Sequence, residues 1–247
     1  MSTNGNTNGN GANSVSSWVR SLKDRLAGHE QEQTQYRRLA LQLHCDLPRG
    51  EAPRSVLLVT PTDSALSAHG STVLACCLAE ELHRPVLLID SSIRRSEATQ
   101  ILNCANRPGF SDLLSDSGPV LEELVLPTSS ENVFFLPVGN NPNGRLTSPQ
   151  DLKRHLKAAE NRYDFVLLSG GSLLDDAAAL AVAPSVGCVL LLVIEAQTAL
   201  SDMRSAETTL EACKARKVGL VLTTPVRSNG KSQRASSGGD TLFRIGG

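Results

Sequence analysis

Aromatic side chains are scarce: Phe, Tyr and Trp together make up 3% of the 247 residues. A core must therefore be assembled from Leu, Val, Ile and Ala. That suits helices on a parallel sheet, whose doubly covered strands read as unbroken aliphatic runs. An excess of either charge is also missing. With 24 basic and 25 acidic residues the formal net charge is −1, so no global field favours nucleic acid or an anionic membrane surface. The six cysteines form no C-x-x-C pair, and no histidine stands at zinc-ligand spacing beside a cysteine pair. The expectation is buried, reduced thiols and no metal centre. The longest apolar run, VGCVLLLVI at 186–194, is too short to cross a bilayer and reads as a buried strand. The opening residues, MSTNGNTNGNGANS, are polar and carry no secretory signal pattern. A cytoplasmic chain is expected, reaching a membrane only through a partner.

What is present falls into four stretches. Residues 1–15, rich in Asn, Gly, Ser and Thr, are expected to be a disordered tail. Residues 16–46 read as two helices. The first, over 16–27, sets Trp18, Leu22 and Leu26 on one face and is a candidate docking element, with packing against its own sheet the alternative reading. The second, over 30–44, carries Tyr36, Leu39 and Leu43 on one stripe. Residues 47–226 alternate strands at 55–60, 85–90, 132–137, 164–169, 187–194 and 218–224 with helices at 71–83, 96–103, 148–160, 175–183 and 199–216. This order predicts an α/β fold: a doubly wound, mostly parallel sheet with helices on both faces. Residues 227–247, rich in Ser, Gly and basic residues, read as a flexible tail.

Ligands of open α/β sheets bind at the carboxyl ends of the strands. The first strand ends at Thr60, and a helix opening at Gly70-Ser71-Thr72 follows where a phosphate-binding loop belongs. A working loop of the form G-x-x-x-x-G-K-[ST] uses glycines to curl N–H groups round phosphate, Lys to reach the β/γ-phosphates and Ser/Thr to hold Mg²⁺. With Ser71 as the metal-ligand position, Gly70 replaces the Lys, His69 the second glycine and Ser64 the first. Two hydroxyls and the bare helix N-terminus remain as a candidate anion site.

Further stretches carry a family likeness. LLIDSSIRR (87–95), GFSDLLS (109–115), NVFFLPVG (132–139), YDFVLLSGG (163–171), LLDDAAALAVAPSVGCVLLLV (173–193) and QYRRLALQL (35–43) follow one another in order. Together they resemble the bacterial tyrosine kinases (BY-kinases) of capsule and exopolysaccharide systems, relatives of the MinD/ParA-type P-loop ATPases. The resemblance runs from about residue 32 to 224, and GFSDLLS with NVFFLPVG is its most telling pair.

The resemblance implies a P-loop-like fold and also shows what has gone. Asp90 keeps the first aspartate of the family's D-x-D motif, while Ser92 replaces the second. Ser169 stands for the Walker B aspartate. The family's E-x-x-R-x-x-R assembly motif survives only as Arg37, between Thr34 and Ala40, which puts self-association of the kinase kind in doubt. The family's C-terminal tyrosine cluster has no counterpart, since the two tyrosines are Tyr36 and Tyr163. Losing one preorganised charge-stabilising group typically costs about 2.7–4 kcal/mol, roughly 10²–10³ in rate. Three such groups are missing together, and although such losses do not add, phosphoryl transfer by the standard route should be undetectable.

The function the resemblance implies is therefore that of a non-catalytic cytoplasmic adaptor or regulator in exopolysaccharide synthesis or export. Its implied partner is a membrane polysaccharide co-polymerase or a homologous active kinase, and no cofactor is expected. The alternative is a divergent ATP-binding protein or autokinase with a rebuilt ATP/Mg²⁺ site. In it, His69, Arg94 or Arg95 would supply positive charge beside Gly70, Ser71, Thr72 and Asp90. Asp90 is expected to be structural, with Ser71 or Thr72 as its hydrogen-bond partner. Asp175 and Asp176 read as an exposed helix-capping pair.

Overall fold

The computed structural model describes residues 30–50, 53–62, 65–102, 104–115, 119–128, 130–141, 149–223 and 243–246. The terminal stretch 1–15 and the helix expected over 16–27, with Trp18, Leu22 and Leu26, lie outside them. The chain runs through α1 (Glu30–Asp46), β1 (Ser55–Thr60), α2 (Leu66–Leu82), β2 (Val86–Asp90), α3 (Glu97–Ile101), α4 (Phe110–Leu113), α5 (Leu121–Leu124), β3 (Leu126–Pro127) and β4 (Val133–Leu136). It continues through α6 (Pro149–Arg162), β5 (Phe165–Ser172), α7 (Ala177–Val182), β6 (Cys188–Ile194), α8 (Leu200–Ala212), β7 (Val218–Thr223) and β8 (Phe243–Gly246).

Successive side chains of a strand point to opposite faces, and β1 shows the consequence. Val56 and Leu58 enter one core with Leu39 and Leu43 of α1 and Leu74 and Leu78 of α2. Leu57 and Val59 enter the other with Leu156 of α6 and Leu210 of α8. Every residue of β1 is buried, because both faces of the sheet are covered. This is why the strand is aliphatic throughout instead of alternating with polar residues. The sheet order is β3-β4-β2-β5-β1-β6-β7-β8. Strand β1 lies between β5 and β6, and the pairings from β4 to β7 are all parallel. The fold is the expected doubly wound α/β sheet.

Both edges add something the sequence pattern did not suggest. The two-residue β3 pairs antiparallel with β4, and β8 pairs antiparallel with β7. Residues 243–246 thus form a strand where a loose tail was expected. A four-residue segment carries too little periodicity to be read as a strand without the neighbouring edge that supplies its hydrogen bonds.

The two most telling sequence stretches meet in space. Phe110 and Ser111 donate their N–H groups to the carbonyls of Pro137 and Val138, both at 2.8 Å. Asp112 Oδ2 accepts the N–H of Gly109 at 2.8 Å and that of Asn140 at 2.9 Å. A Cβ at Gly109 would overlap the Pro137 carbonyl oxygen and crowd the Gly139 nitrogen, so only glycine permits this approach. Gly109→Ala is expected to destabilise the domain by about 3 kcal/mol, the upper range for overpacking, since the obstacle is backbone. Urea denaturation of the variant checks this, and an unchanged midpoint would contradict it.

Candidate functional site

The carboxyl ends of β1, β2 and β5 converge on the crevice where such sheets bind ligands. A cavity of about 340 Å³ opens there, lined by Ser92, Arg94, Arg95 and Glu97 after β2 and by Gly171, Ser172, Asp175 and Asp176 at the end of β5.

On the β1 side the helix arrives early. The sequence reading started it at Ser71, but α2 begins at Leu66. Gly70, Ser71 and Thr72 therefore sit inside the helix and are buried, rather than at a bare N-terminus. The Ser71 and Thr72 hydroxyls both donate to the Ala68 carbonyl, at 3.2 and 2.8 Å. This is the back-bonding that Ser and Thr adopt within helices. A Cβ at Gly70 would come within 2.7 Å of Leu192 Cδ2 and 2.9 Å of the Tyr36 hydroxyl. Gly70 is thus the gap that lets α1 and β6 close on α2. The Tyr36 hydroxyl is buried without a hydrogen-bond partner among the described residues, and burial pushes its pKa upward. The available clue to the early helix was that residues 61–69 contain no glycine, which a phosphate-cradling loop requires.

His69 points away from the cavity's cations: its Nε2 lies 3.1 Å from Glu32 Oε1 on α1. Arg37, also on α1, reaches Glu80 and Glu81 of α2 at 3.6 and 3.4 Å. The one conserved position of the assembly motif therefore makes contacts within the chain.

Asp90 is fully buried at the end of β2, beside Ser169 in register. Its partners are not Ser71 or Thr72. Oδ1 accepts the Ser92 N–H at 3.2 Å and Oδ2 accepts the Thr99 N–H at 2.8 Å, while Thr99 Oγ1 accepts the Val138 N–H at 2.9 Å. Asp90 thereby fixes the turn that carries Ser92, Arg94, Arg95 and Glu97. Burial outweighs these bonds and raises its pKa from 3.8 to about 6. With the folded pKa above the unfolded one, the native state holds the proton more tightly. Stability from this group is fully present below pH ~4, declines as pH rises to ~6 and is flat above, a change on the order of 2–3 kcal/mol. The stability difference between wild type and Asp90→Asn, followed by urea titration from about pH 4 to 7.5, should change by that amount. A pH-independent difference would refute it.

Arg94 is exposed and donates from Nη1 to the Asp175 carbonyl at 2.7 Å, bridging the β2 and β5 loops. Ser172 Oγ donates to Asp175 Oδ2 at 2.7 Å. Asp176 caps α7, its Oδ1 accepting the Ala178 N–H at 2.9 Å. Half of the expected exposed pair is therefore corrected: Asp175 is exposed, but Asp176 is only 5% exposed. Among the described residues no group of three or more His, Cys, Asp or Glu side chains is arranged to hold a metal, and no helix is long and apolar enough to cross a membrane.

No family model matches the chain. Over 166 residues it is 30% identical to the tyrosine-protein kinase wzc of Salmonella typhi, covering 65% of this chain and 22% of that protein. The kinase domain of the Escherichia coli tyrosine kinase ETK superposes with a TM-score of 0.69 at 20% identity, over 83% of this chain and 80% of that one. The Pyrococcus horikoshii septum site-determining protein MinD, complexed with Mg-ADP, gives 0.56 at 22% identity, over 68% and 69%. Over the 166 residues the chain is similar in sequence to part of a tyrosine kinase, and its fold is that of BY-kinase domains and of MinD. The chain spans 22% of the length of the curated kinase it matches. Within this fold, strand order and crevice place Gly70, Asp90, Ser92 and Ser169 around the ends of β1, β2 and β5. Those four positions hold a glycine, two serines and one carboxylate committed to backbone amides.

Proposed function

We propose that this BY-kinase-like domain acts without phosphoryl transfer, as a cytoplasmic adaptor or regulator in exopolysaccharide synthesis or export. Its partner would be a membrane polysaccharide co-polymerase or an active homologous kinase, and membrane recruitment would come through that partner. The observation that carries the reading is the early start of α2. The positions that would cradle phosphate lie in helix, their hydroxyls are bonded to Ala68, and the first carbon of any side chain at 70 would run into Tyr36 and Leu192.

The residues present do not fit a magnesium nucleotide in the family's manner. Serines 92 and 169 stand where carboxylates would hold the metal, and both Asp90 oxygens already accept backbone N–H groups. A scaffold can keep a recognition surface after its chemistry has been lost, because fold and function are separable.

Three measurements on the full chain test this. Thermal melts with ATP and Mg²⁺ should show no stabilisation, and incubation with γ-labelled ATP should label neither the chain nor a tyrosine peptide. Coexpression with a membrane polysaccharide co-polymerase or a homologous active kinase should yield a stable complex on purification. Saturable nucleotide stabilisation with label transfer would instead establish the rebuilt-site alternative. Absence of a complex with either the co-polymerase or a homologous kinase would sink the adaptor role.

A further inference from the structure

One edge of the sheet is finished differently from its interior. Strand β7 reads VGLVLT, a run without charge or proline. An uncovered edge of that composition invites pairing with another chain. In the structure β8 takes that place, pairing antiparallel with Val218, Gly219, Leu220 and Val221. Residues 224–242 separate the two strands in sequence, far more than the roughly 2–5 residues of an ordinary hairpin loop. Closing a longer loop costs more entropy, so β8 is held less firmly than the second strand of a tight hairpin.

The apolar cover beside this edge is also incomplete. Val218, Leu220 and Leu222 alternate along β7 and so share a face. They pack on the core of α6 and α8 yet stay half-buried with β8 beside them. Leu57 and Val59, on the same side of β1, are fully buried. The register sets Arg244 beside Leu220 and Gly246 beside Val218, and it does not reach Leu222. No aliphatic residue of β8 pairs with this strip.

A second β7 would continue it. Two copies of one strand related by a two-fold axis normal to the sheet run antiparallel, the direction this edge already accepts from β8. Such an axis keeps each face on its own side, so the strip of one copy meets the strip of the other. Centred on Leu220, it pairs Leu220 with its own counterpart and Val218 with Leu222 of the second copy. The contact is self-complementary and closed, as a two-fold interface must be, and aliphatic cross-strand pairs are what stabilises a sheet.

We propose that the outer edge of β7 is a dimerisation surface for a second copy of this chain, guarded by β8, which occupies the same hydrogen-bonding edge. Release of β8 lets two sheets join through β7. The surface uses the sheet edge rather than Arg37, and it stands whether or not the domain serves as an adaptor.

The test is sedimentation velocity on the full chain. Arg244→Pro combined with Ile245→Pro removes two N–H groups from β8 and leaves β7 untouched. This variant should dimerise with a Kd at least about tenfold below that of wild type. Adding Leu220→Lys sets like charges opposite each other and should return the Kd to the wild-type value or weaker. A lysine there could also cost stability, so Leu220→Cys in the proline background supplies a second readout. Mild oxidation should join two copies through position 220 of each, located by peptide mapping, and the same link should form more slowly where β8 is intact. The inference fails if the proline variant dimerises no more tightly than wild type, if it forms open-ended larger species, or if its dimer does not link through position 220. Pairing of the edge with a strand of a different protein, while the proline variant alone stays monomeric, counts as the same failure.

Discussion

Asp164→Ala is expected to destabilise the domain by about 3–5 kcal/mol, the cost of stripping one partner from a buried ion pair. Arg54 and Asp164 are 7% and 5% exposed and meet at 2.5 Å. The guanidinium also donates from Nε to the Leu47 carbonyl at 2.7 Å and lies 4.8 Å above the centre of the Phe165 ring. These contacts tie the segment after α1 to the start of β5. Without Asp164 the guanidinium keeps the Leu47 carbonyl, His44 Nδ1 and the Phe165 ring beside it but loses its buried counter-charge. Arg49, which reaches the other Asp164 oxygen at 3.3 Å, is 64% exposed, and its loss adds little. The test that separates a buried charge from a lost contact is the double replacement Arg54→Met with Asp164→Leu. Replacing both partners by apolar groups of similar bulk should recover most of the stability. If the double variant were as unstable as Asp164→Ala, the penalty would lie in packing and not in an uncompensated charge.

Gly70→Lys, which places a lysine where the proposed reading aligns that of a phosphate loop, is expected to cost at least about 3 kcal/mol in stability and to confer no kinase activity. The first carbon of any side chain at 70 would already crowd Leu192 and Tyr36. Overpacking of that kind costs roughly 1–3 kcal/mol, and the attached ammonium would begin its path in the core, where an unpaired charge is far more costly. Gly70→Ala isolates the packing part and should be the milder variant. Restoring the carboxylates meets its own obstacle. An acid at position 169 would lie in register beside the buried Asp90, and two adjacent carboxylates do not both ionise readily. Urea melts and label transfer from γ-labelled ATP check both parts. A stable Gly70→Lys variant that takes up label would show that the crevice is closed by one residue and not by its packing.

Legibility differed between the sheet and the site. The runs SVLLVT, LLID, FVLLS and CVLLLVI were readable as strands because burial on both faces makes every position aliphatic. The pairing of GFSDLLS with NVFFLPVG was visible only as a resemblance; its cause is the backbone joint at Gly109 and Pro137. The site was less legible. Ser71 and Thr72 were placed at a helix start because a phosphate-binding loop belongs after the first strand, yet the helix begins at Leu66 and runs through Gly70, Ser71 and Thr72. A glycine within a helix is tolerated at about 1 kcal/mol relative to alanine, and here the close approach of α1 and β6 explains its presence. Asp90 was expected to remain as structure, but its partners were misassigned. Hydrogen bonding by a buried carboxylate depends on which turn folds back over it.

The sequence alone determined the α/β class and the parallel core, and it set Gly70, Ser92 and Ser169 where the proposed reading looks for charged residues, because these depend on residue type and order. The tertiary structure decided what surrounds them. Only contacts between distant segments could place Tyr36 and Leu192 against Gly70, commit Asp90 to Thr99, and join Arg94 to the Asp175 carbonyl. Local pattern specifies which face of each element is apolar; it does not specify which atom of another element meets it.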